Sequence, residues 1–207
     1  SGCRVFFHKR NRIQGSQVAS WSTEILELLG LDSLNVSLIE KPTHFNEMII
    51  PKQIPTPIHQ PSPELAAMTD LVRRNVTNYS NFPRSQKVYV SRSRVDADSG
   101  RIAGESALEA LLASQGFLIV HPQEHSVREQ LSIYNNAKHL IFAEGSAAHL
   151  CILMPPIQAD VTIINRRKGF NAFKHQFRNF NIGCSGIDCV KGMLVAKNRF
   201  WPEANGL

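Results

Sequence analysis

Residues 116–146 have the sequence GFLIVHPQEHSVREQLSIYNNAKHLIFAEGS, and this stretch decides the fold. Two predominantly apolar segments, 117–120 and 139–143, have the length of β-strands. Between them, Ser126 and Glu129 are spaced as a capping box and predict a helix over residues 126–137. Short apolar strands on either side of a helix are typical of a parallel sheet that is covered on both faces.

The alternation continues on both sides of this stretch. Strands are predicted at 87–91, 161–165 and 193–196, and helices at 105–115, 146–154 and 170–180. We therefore predict an α/β fold, a Rossmann-like parallel sheet with helices on both faces. Such sheets bind ligands beyond the carboxyl ends of their strands, where the strand order reverses. The candidate binding loops are those that follow residues 91, 120, 143 and 165.

The first eighty residues are less regular. They predict a short helix at 24–29, ended by Gly30, and a strand at 36–39. Five prolines lie between residues 51 and 63, and a further helix begins at Pro63, with Ser62 as its N-cap, and ends near residue 78. We predict a partial N-terminal, acceptor-side region with a linker over 1–61, and a C-terminal Rossmann-like domain over 62–207.

Composition limits the function classes. The formal charge of +6 and the pI near 9.4 favour a phosphate-bearing partner. The basic residues are scattered without interleaved aromatics, so we do not predict a nucleic-acid partner. Four cysteines without metal-ligand spacing indicate a reducing compartment and no metal, although Cys184 and Cys189 could pair. No apolar run is long enough to span a bilayer. We expect a cytoplasmic location, or the inner face of the membrane with peripheral association.

The loop after residue 143, EGSAAH at 144–149, is the strongest phosphate candidate. Gly145 lets the backbone approach a ligand closely, and the next amides open a helix whose dipole favours an anion. His149 lies in the first turn, where an imidazole could donate to a phosphate. The alternative is an ordinary turn with Ser146 as the N-cap and His149 packed against its neighbours.

Two other loops carry polar candidates. Arg92 and Arg94 follow the strand at 87–91, where paired guanidinium nitrogens suit a diphosphate. The alternative is a solvated loop whose arginines pair with Asp96 or Asp98. In the loop after residue 120, the Glu124 carboxylate suits the vicinal hydroxyls of a ribose, and the alternative is a polar turn.

Taken in order, these segments resemble glycosyltransferase family 61, and most closely its bacterial branch of capsular-polysaccharide-type transferases. The likeness extends from about residue 87 to residue 156. It is carried by KVYVSRS at 87–93 with Arg101 and Glu105, Gly116-Phe117, Pro122, Glu124, Ser126 with Glu129-Gln130, Ala137, and Glu144-Gly145-Ser146-Ala147 with His149.

The resemblance implies an inverting, metal-independent hexosyl- or pentosyltransferase of the GT-B type, without a cofactor, that moves a sugar from a nucleotide-sugar to a glycan or polysaccharide. The alternative is a fragment that binds nucleotide-sugar without catalysis. An inverting transfer needs a base, and Glu47, Asp70, Asp96, Asp98 and Glu105 all remain candidates. The resemblance implies a set of donor-binding residues, to which we add the neighbouring Arg94. The full set is Arg92, Arg94, Arg101, Glu124, Ser126, Gln130, Glu144, Gly145, Ser146, Ala147 and His149.

Overall fold

The computed structural model describes residues 4–8, 19–31, 35–50, 63–77, 87–96, 99–153, 157–167, 172–180 and 182–188. Within them the chain alternates strands and helices as predicted. In chain order the elements are β1 Val5–His8, α1 Ser20–Leu28, β2 Val36–Ile39, α2 Pro63–Thr77, β3 Lys87–Val90, α3 Glu105–Ser114, β4 Leu118–Val120, α4 Val127–Asn136, β5 His139–Ala143, β6 Asp160–Asn165, α5 Ala172–Asn179 and β7 Cys184–Asp188, with 3₁₀ helices at Pro122–Glu124 and Ser146–Leu153.

Five strands form one sheet in the order β4-β3-β5-β6-β7, and every neighbouring pair is parallel. Val90, at the end of β3, pairs with Val120 on one side and with Phe142 on the other. The carboxyl ends of the strands therefore lie along one edge. The parallel sheet confirms the predicted α/β, Rossmann-like fold class.

Helices cover both faces of this sheet. On one face, Tyr89 and Ala143 pack with Leu108 and Leu112 of α3. On the other face, Phe142 is fully buried with Tyr134 of α4 and Phe177 of α5. Because both faces are covered there, the central strands β3 and β5 are mainly apolar rather than alternating, as expected for a parallel sheet.

The strand order reverses between β3 and β5. The chain leaves β3, passes through α3 to β4, and then crosses back over β3 through α4 to reach β5. The connections on either side of this point diverge to opposite faces, which opens a crevice beyond the carboxyl ends of β3 and β5. We call this crevice the switch point.

The first part of the chain contributes a separate two-stranded parallel sheet, β1-β2, and helix α1. Leu28 of α1 is buried with Val72 of α2 and Leu131 of α4. The Glu24 carboxylate also accepts a hydrogen bond of 2.6 Å from the Val127 amide, at the start of α4. Helix α1 therefore packs on the parallel-sheet region. The boundary proposed between residues 61 and 62 stays a prediction.

Some elements differ from the sequence prediction. Within the helix predicted over 146–154, residues 146–153 wind as a 3₁₀ helix. Strands β1 and β7 were not predicted, and Cys184 in β7 is a free thiol. The predicted strand at 193–196, the N-cap Ser62 and the possible partner Cys189 lie outside the described residues. None of the described helices is both long and apolar enough to cross a membrane.

The predicted capping box of α4 is present, and it offers a test of local stability. Ser126 Oγ accepts from the Glu129 amide at 3.2 Å, and Glu129 Oε2 accepts from the Ser126 amide at 2.7 Å. We expect Ser126→Ala to cost about 1 kcal/mol of unfolding free energy, seen as a melting temperature lower by roughly 2–4 °C. Ser106→Ala, at an exposed position of α3, is the control. Equal melting temperatures for the two variants would contradict the role of the cap.

Candidate functional site

Arg92 and Gly145 are neighbours at the switch point. Arg92 follows β3, Gly145 follows β5, and the arginine side chain lies against the glycine. A Cβ atom on residue 145 would collide with Arg92 Nη1 and lie 3.0 Å from its Cδ. The Arg92 guanidinium also donates to the carbonyl oxygens of Ser99 and Gly100, at 2.8 and 3.3 Å. Gly145 thus makes room for a cationic side chain as well as for close backbone approach.

A second cation comes from the end of β6. Arg166 lies against Gly100, where a Cβ would collide with Arg166 Nη1 and lie 3.3 Å from its Cζ. Gly100 has a φ of +73°, a conformation that favours glycine. Arg92 and Arg166 therefore both pack against the loop at 99–100, from neighbouring parts of the same sheet edge.

The predicted donor-binding residue Glu144 is fully buried and organises this edge. Its Oε2 accepts from the backbone amides of Arg166 and Arg167, at 2.6 and 3.0 Å. Its Oε1 accepts from Arg167 Nε and Nη2, at 2.7 and 2.5 Å. With 0% of its surface exposed, the Glu144 side chain faces the protein. In the structure, Glu144 holds in place the loop that carries Arg166 and Arg167.

Burial and like charge both act on the arginines. Burial lowers the pKa of Arg92, and the neighbouring Arg166 lowers it further. Burial also lowers the pKa of Arg166, with Arg167 adding to the effect. Since a guanidinium starts from a very high pKa, Arg92 and Arg166 both stay charged at neutral pH. Three cations here face the carboxylates of Glu105 and Glu144, which leaves an excess of positive charge.

Two guanidinium nitrogens in this cluster lack an acceptor. Arg92 Nε and Arg166 Nε are buried and have no hydrogen-bond partner within the described part of the chain. An unsatisfied buried donor costs free energy. Next to them, the 3₁₀ helix makes its first bond from the Ala148 amide to the Gly145 carbonyl, at 3.2 Å. The Ser146 and Ala147 amides precede that bond, so the helix does not use them. Guanidinium nitrogens and free amides at the start of a helix are the kinds of donor that bind anions.

The base candidate Glu105 is buried, with 3% of its surface exposed. Its Oε1 accepts from the Tyr89 hydroxyl, the Ser91 hydroxyl and the Arg92 amide, at 2.9, 3.0 and 2.7 Å. This carboxylate fixes the end of β3 and therefore the start of the Arg92 side chain. The geometry favours a positioning role for Glu105 over proton abstraction from an acceptor.

The other base candidates lie on the surface. Asp96 is exposed in the loop after β3, and Glu47 is exposed in the segment after β2. Asp70 is half-exposed on α2 and forms an ion pair of 2.8 Å with Arg73. Asp98 is outside the described residues. Of the described candidates, Glu105 and Asp96 lie on the segment that follows β3, and Glu105 alone contacts the arginine cluster.

The residues predicted on the β4 side mostly bond to one another. Arg94 pairs with Glu124 at 2.6 Å, and this ion pair lowers the pKa of the Glu124 carboxyl. The Gln130 amide donates to the carbonyls of Pro122 and His125, at 2.9 and 3.1 Å, and so holds the turn before α4. Ser126 is the cap of α4. These contacts explain the local structure without a ligand.

Two predicted residues point away from the arginines. Arg101 Nε donates to the Val95 carbonyl at 2.5 Å on the exposed side of its loop. His149 Nδ1 is hydrogen-bonded to Gln176 at 2.7 Å, and its ring lies 4.7 Å from the ring of Phe173. His149 therefore contacts α5 through its ring, although the residue remains exposed.

The sequence analysis did not select Arg166 and Arg167 as ligands. The available signal was a pair of arginines directly after a buried strand, in one of the four loops at the predicted binding edge. Glu109 was also missed. Its carboxylate lies 2.5 Å from the hydroxyl oxygens of Ser91 and Ser93, and it shares the single Ser91 hydroxyl proton with Glu105. Burial raises the pKa of Glu109, but the bonds from Ser91 and Ser93, together with the nearby His121 and Arg94, lower it overall.

The parallel sheet and its cationic crevice define a Rossmann-like α/β protein. The chain belongs to glycosyltransferase family 61, because the family model Glycosyltransferase 61 matches residues 17–162. No curated protein matches the chain. Among the described residues, no group of three or more His, Cys, Asp or Glu side chains could hold a metal ion. The family assignment confirms the resemblance and makes the chain a glycosyltransferase by family.

The contact between Arg92 and Gly145 predicts that a substitution at Gly145 weakens nucleotide binding while the protein stays folded. In Gly145→Ala, the added methyl group would displace the guanidinium of Arg92, because a flexible side chain moves more easily than the sheet. We expect nucleoside diphosphate affinity to fall about tenfold and the melting temperature to change little. Gly183→Ala, where a Cβ would meet nothing within 4 Å, is the control. Unchanged affinity in Gly145→Ala, measured by calorimetry, would contradict the assignment.

Proposed function

We propose that the protein transfers a hexosyl or pentosyl group from a nucleotide-sugar to a glycan or polysaccharide, and that the donor diphosphate binds at the switch point. The observation that carries the proposal is the convergence of Arg92, Arg166 and Arg167 beside the start of the Ser146–Leu153 3₁₀ helix. Arginine suits phosphate because its planar fork offers parallel charge-assisted hydrogen bonds. The two buried Nε donors would gain acceptors when a diphosphate binds.

The same groups suggest how the reaction proceeds. As the bond between the sugar and the diphosphate breaks, negative charge grows on the leaving phosphate oxygens. Fixed guanidinium groups and helix amides stabilise that charge without reorganisation. In this proposal they take the part that a metal ion plays in other transferases. An acceptor hydroxyl attacks the anomeric carbon from the opposite side, which inverts its configuration.

The attacking hydroxyl must lose its proton to a base within hydrogen-bond reach. Asp96 fits this role better than Glu105, since it is exposed on the loop that leads from β3 to the crevice, whereas the Oε1 of Glu105 already accepts three hydrogen bonds. Glu47 would serve only if the segment after β2 approached the crevice. The acceptor would then approach from the side of the first part of the chain, as in a two-domain GT-B enzyme.

The proposed cellular setting follows from the substrates. The resemblance to the capsular-polysaccharide-type branch implies a nucleotide-sugar donor and a surface-polysaccharide acceptor. We therefore propose a cytoplasmic enzyme that works at the inner face of the membrane. The net charge of +6 favours association with an anionic lipid surface.

Donor screening tests the proposal. UDP, GDP, CMP and ADP, each alone and as a sugar conjugate, are titrated against the protein by thermal shift and calorimetry. Donor hydrolysis and transfer are measured in parallel. The proposal predicts stabilisation by one nucleotide class and turnover of its sugar conjugate. Binding without turnover would favour a nucleotide-sugar-binding fragment, and no binding by any nucleotide would contradict the donor site.

A further inference from the structure

A cleft runs along β6 and β7 beside the first turn of α5, from Cys184 at the start of β7 to Asn165 and Asp188 at the carboxyl edge of the sheet. Its volume is about 170 Å³. A site that encloses a whole drug-sized ligand measures roughly 300–1,000 Å³, so this cleft has room for one ring rather than a nucleotide. The lining residues used below are Asn165, Lys174, Cys184, Ser185, Gly186 and Asp188.

The last residues of the two strands form the polar end of the cleft. Asn165 and Asp188 are register partners, and Asn165 Nδ2 donates to Asp188 Oδ1. Asn165 is buried, with 7% of its surface exposed, whereas Asp188 is exposed. A Cβ on Gly186 would lie 3.3 Å from Asn165 Nδ2. The buried amide therefore orients a carboxylate that faces solvent, and the glycine leaves the space beside them open.

The rest of the lining combines Lys174 and Ser185 with the apolar Ile163, Phe173 and Cys184, and it offers no exposed aromatic face. Lys174 is exposed on the first turn of α5, and Ser185 is exposed on β7. Burial raises the pKa of the Cys184 thiol to about 11, so this group is neutral at physiological pH. The ring of Phe173 also lines the cleft but is 4% exposed. The Ser185 hydroxyl is hydrogen-bonded to Thr162 on the other face of the sheet. The carboxylate, amide and ammonium groups match the hydroxyls of a sugar, whereas a nucleobase is usually held by stacking.

The distance between the cleft and the arginines indicates which part of the donor the cleft could bind. Asn165 directly precedes Arg166, and the gap between β6 and β7 lies two strands from the switch point. At a strand spacing of about 4.8 Å, the separation is roughly 10 Å. A sugar ring that is linked directly to a diphosphate bound at the switch point could reach the cleft along this edge. On the other side of the switch point, the polar groups of the loop after β4 already have partners, through the Arg94–Glu124 ion pair and the hydrogen bonds of Gln130. That loop is therefore less suited to bind the sugar.

We infer that this cleft binds the sugar ring carried by the donor, and that Asp188, oriented by Asn165, pairs with its hydroxyl groups. The inference rests on the proposed function, since it places the sugar beside the diphosphate that the arginines hold. It makes Asp188 a residue that selects among donor sugars. A site built to pair with a hydroxyl discriminates strongly against a donor that lacks it.

The test compares affinities for a nucleoside diphosphate with and without its sugar. The probes are UDP with UDP-glucose and UDP-xylose, GDP with GDP-mannose, and ADP with ADP-glucose, and the best-binding pair is used. Asp188→Asn removes the charge but keeps an oxygen that can accept from Asn165. We expect it to weaken binding of the sugar conjugate about 10–100-fold and binding of the bare diphosphate less than about twofold.

Asp160→Asn is the matched control, because Asp160 is exposed at the opposite end of β6. It should change neither affinity, and a circular dichroism spectrum should show that both variants are folded. Equal weakening of conjugate and bare diphosphate by Asp188→Asn would overturn the inference, as would no change in either. In both of these cases the wild type still binds the bare diphosphate and the arginine site stands. Failure of the wild type to bind any of the diphosphates would defeat both proposals.

Discussion

The double variant Arg92→Ala/Arg166→Ala is expected to lose nucleotide binding while it keeps its fold. Each charge-assisted hydrogen bond contributes about 1.5–3 kcal/mol, so removal of both guanidinium groups should weaken nucleoside diphosphate binding by about 10²–10⁴-fold. Burial and repulsion from a neighbouring arginine already lower the pKa of each arginine. Their removal relieves this repulsion but also removes the two bonds that Arg92 donates to Ser99 and Gly100, so we expect the melting temperature to stay close to that of the wild type.

The matched control is Arg73→Ala/Arg178→Ala, which removes the same charge from α2 and α5 at exposed positions. The two double variants are compared by calorimetric titration with the diphosphate at one salt concentration, so that screening is the same in both. Because each variant loses two positive charges, long-range attraction of the diphosphate is reduced by the same amount. A similar loss in both would indicate only long-range attraction. Wild-type affinity in Arg92→Ala/Arg166→Ala would remove these residues from the site.

The second large effect concerns Glu144. In Glu144→Ala the amides of Arg166 and Arg167 lose the buried acceptor that they share. An unsatisfied buried donor costs about 1–3 kcal/mol, so we expect a melting temperature lower by roughly 2–12 °C. The loop that carries the arginines also loses its anchor, so diphosphate affinity should fall with stability.

Glu124→Ala provides the comparison, because that carboxylate forms an exposed ion pair with Arg94, and exposed pairs contribute little. It should melt like the wild type. Glu144→Ala is followed by thermal denaturation and by titration with the diphosphate below its transition. Wild-type stability of that variant would mean that the network around Glu144 is dispensable.

The elements that local chemistry determines were predicted well. Ser126 and Glu129 form the capping box that their spacing implies, and Gly30 and Gly116 have the positive φ expected where a helix ends. Strands β3, β5 and β6 are apolar because both sheet faces are covered, so their composition identified them. In each case a few neighbouring residues suffice to specify the structure.

Strand β7 was missed because its sequence, CSGID, contains a glycine and little apolar surface. It pairs only with β6 and is mostly exposed, so burial did not shape its composition. A helix was predicted over residues 146–154 without its type, since an apolar stretch of this length does not distinguish an α-helix from a 3₁₀ helix.

The site was predictable as an edge of the sheet but not as a set of contacts. Strand order brings Arg166 beside Arg92 although 74 residues separate them in sequence, and no local pattern gives that order. Likewise, the sequence shows that Glu144 follows a buried strand, but not that its carboxylate turns inward toward Arg167. Side-chain direction depends on partners that only the tertiary structure provides.

The most direct measurement follows the NMR signals of the two guanidinium nitrogens that lack an acceptor, Arg92 Nε and Arg166 Nε. A ¹H–¹⁵N NMR titration with the bound nucleoside diphosphate resolves the Nε–Hε signals of individual arginines and the backbone amides of Ser146 and Ala147. The account predicts saturable shifts for Arg92 and Arg166 Hε and for both amides, with Arg73 Hε unmoved. Binding that leaves these four signals in place and moves those of another surface would contradict the assignment of the diphosphate to the switch point.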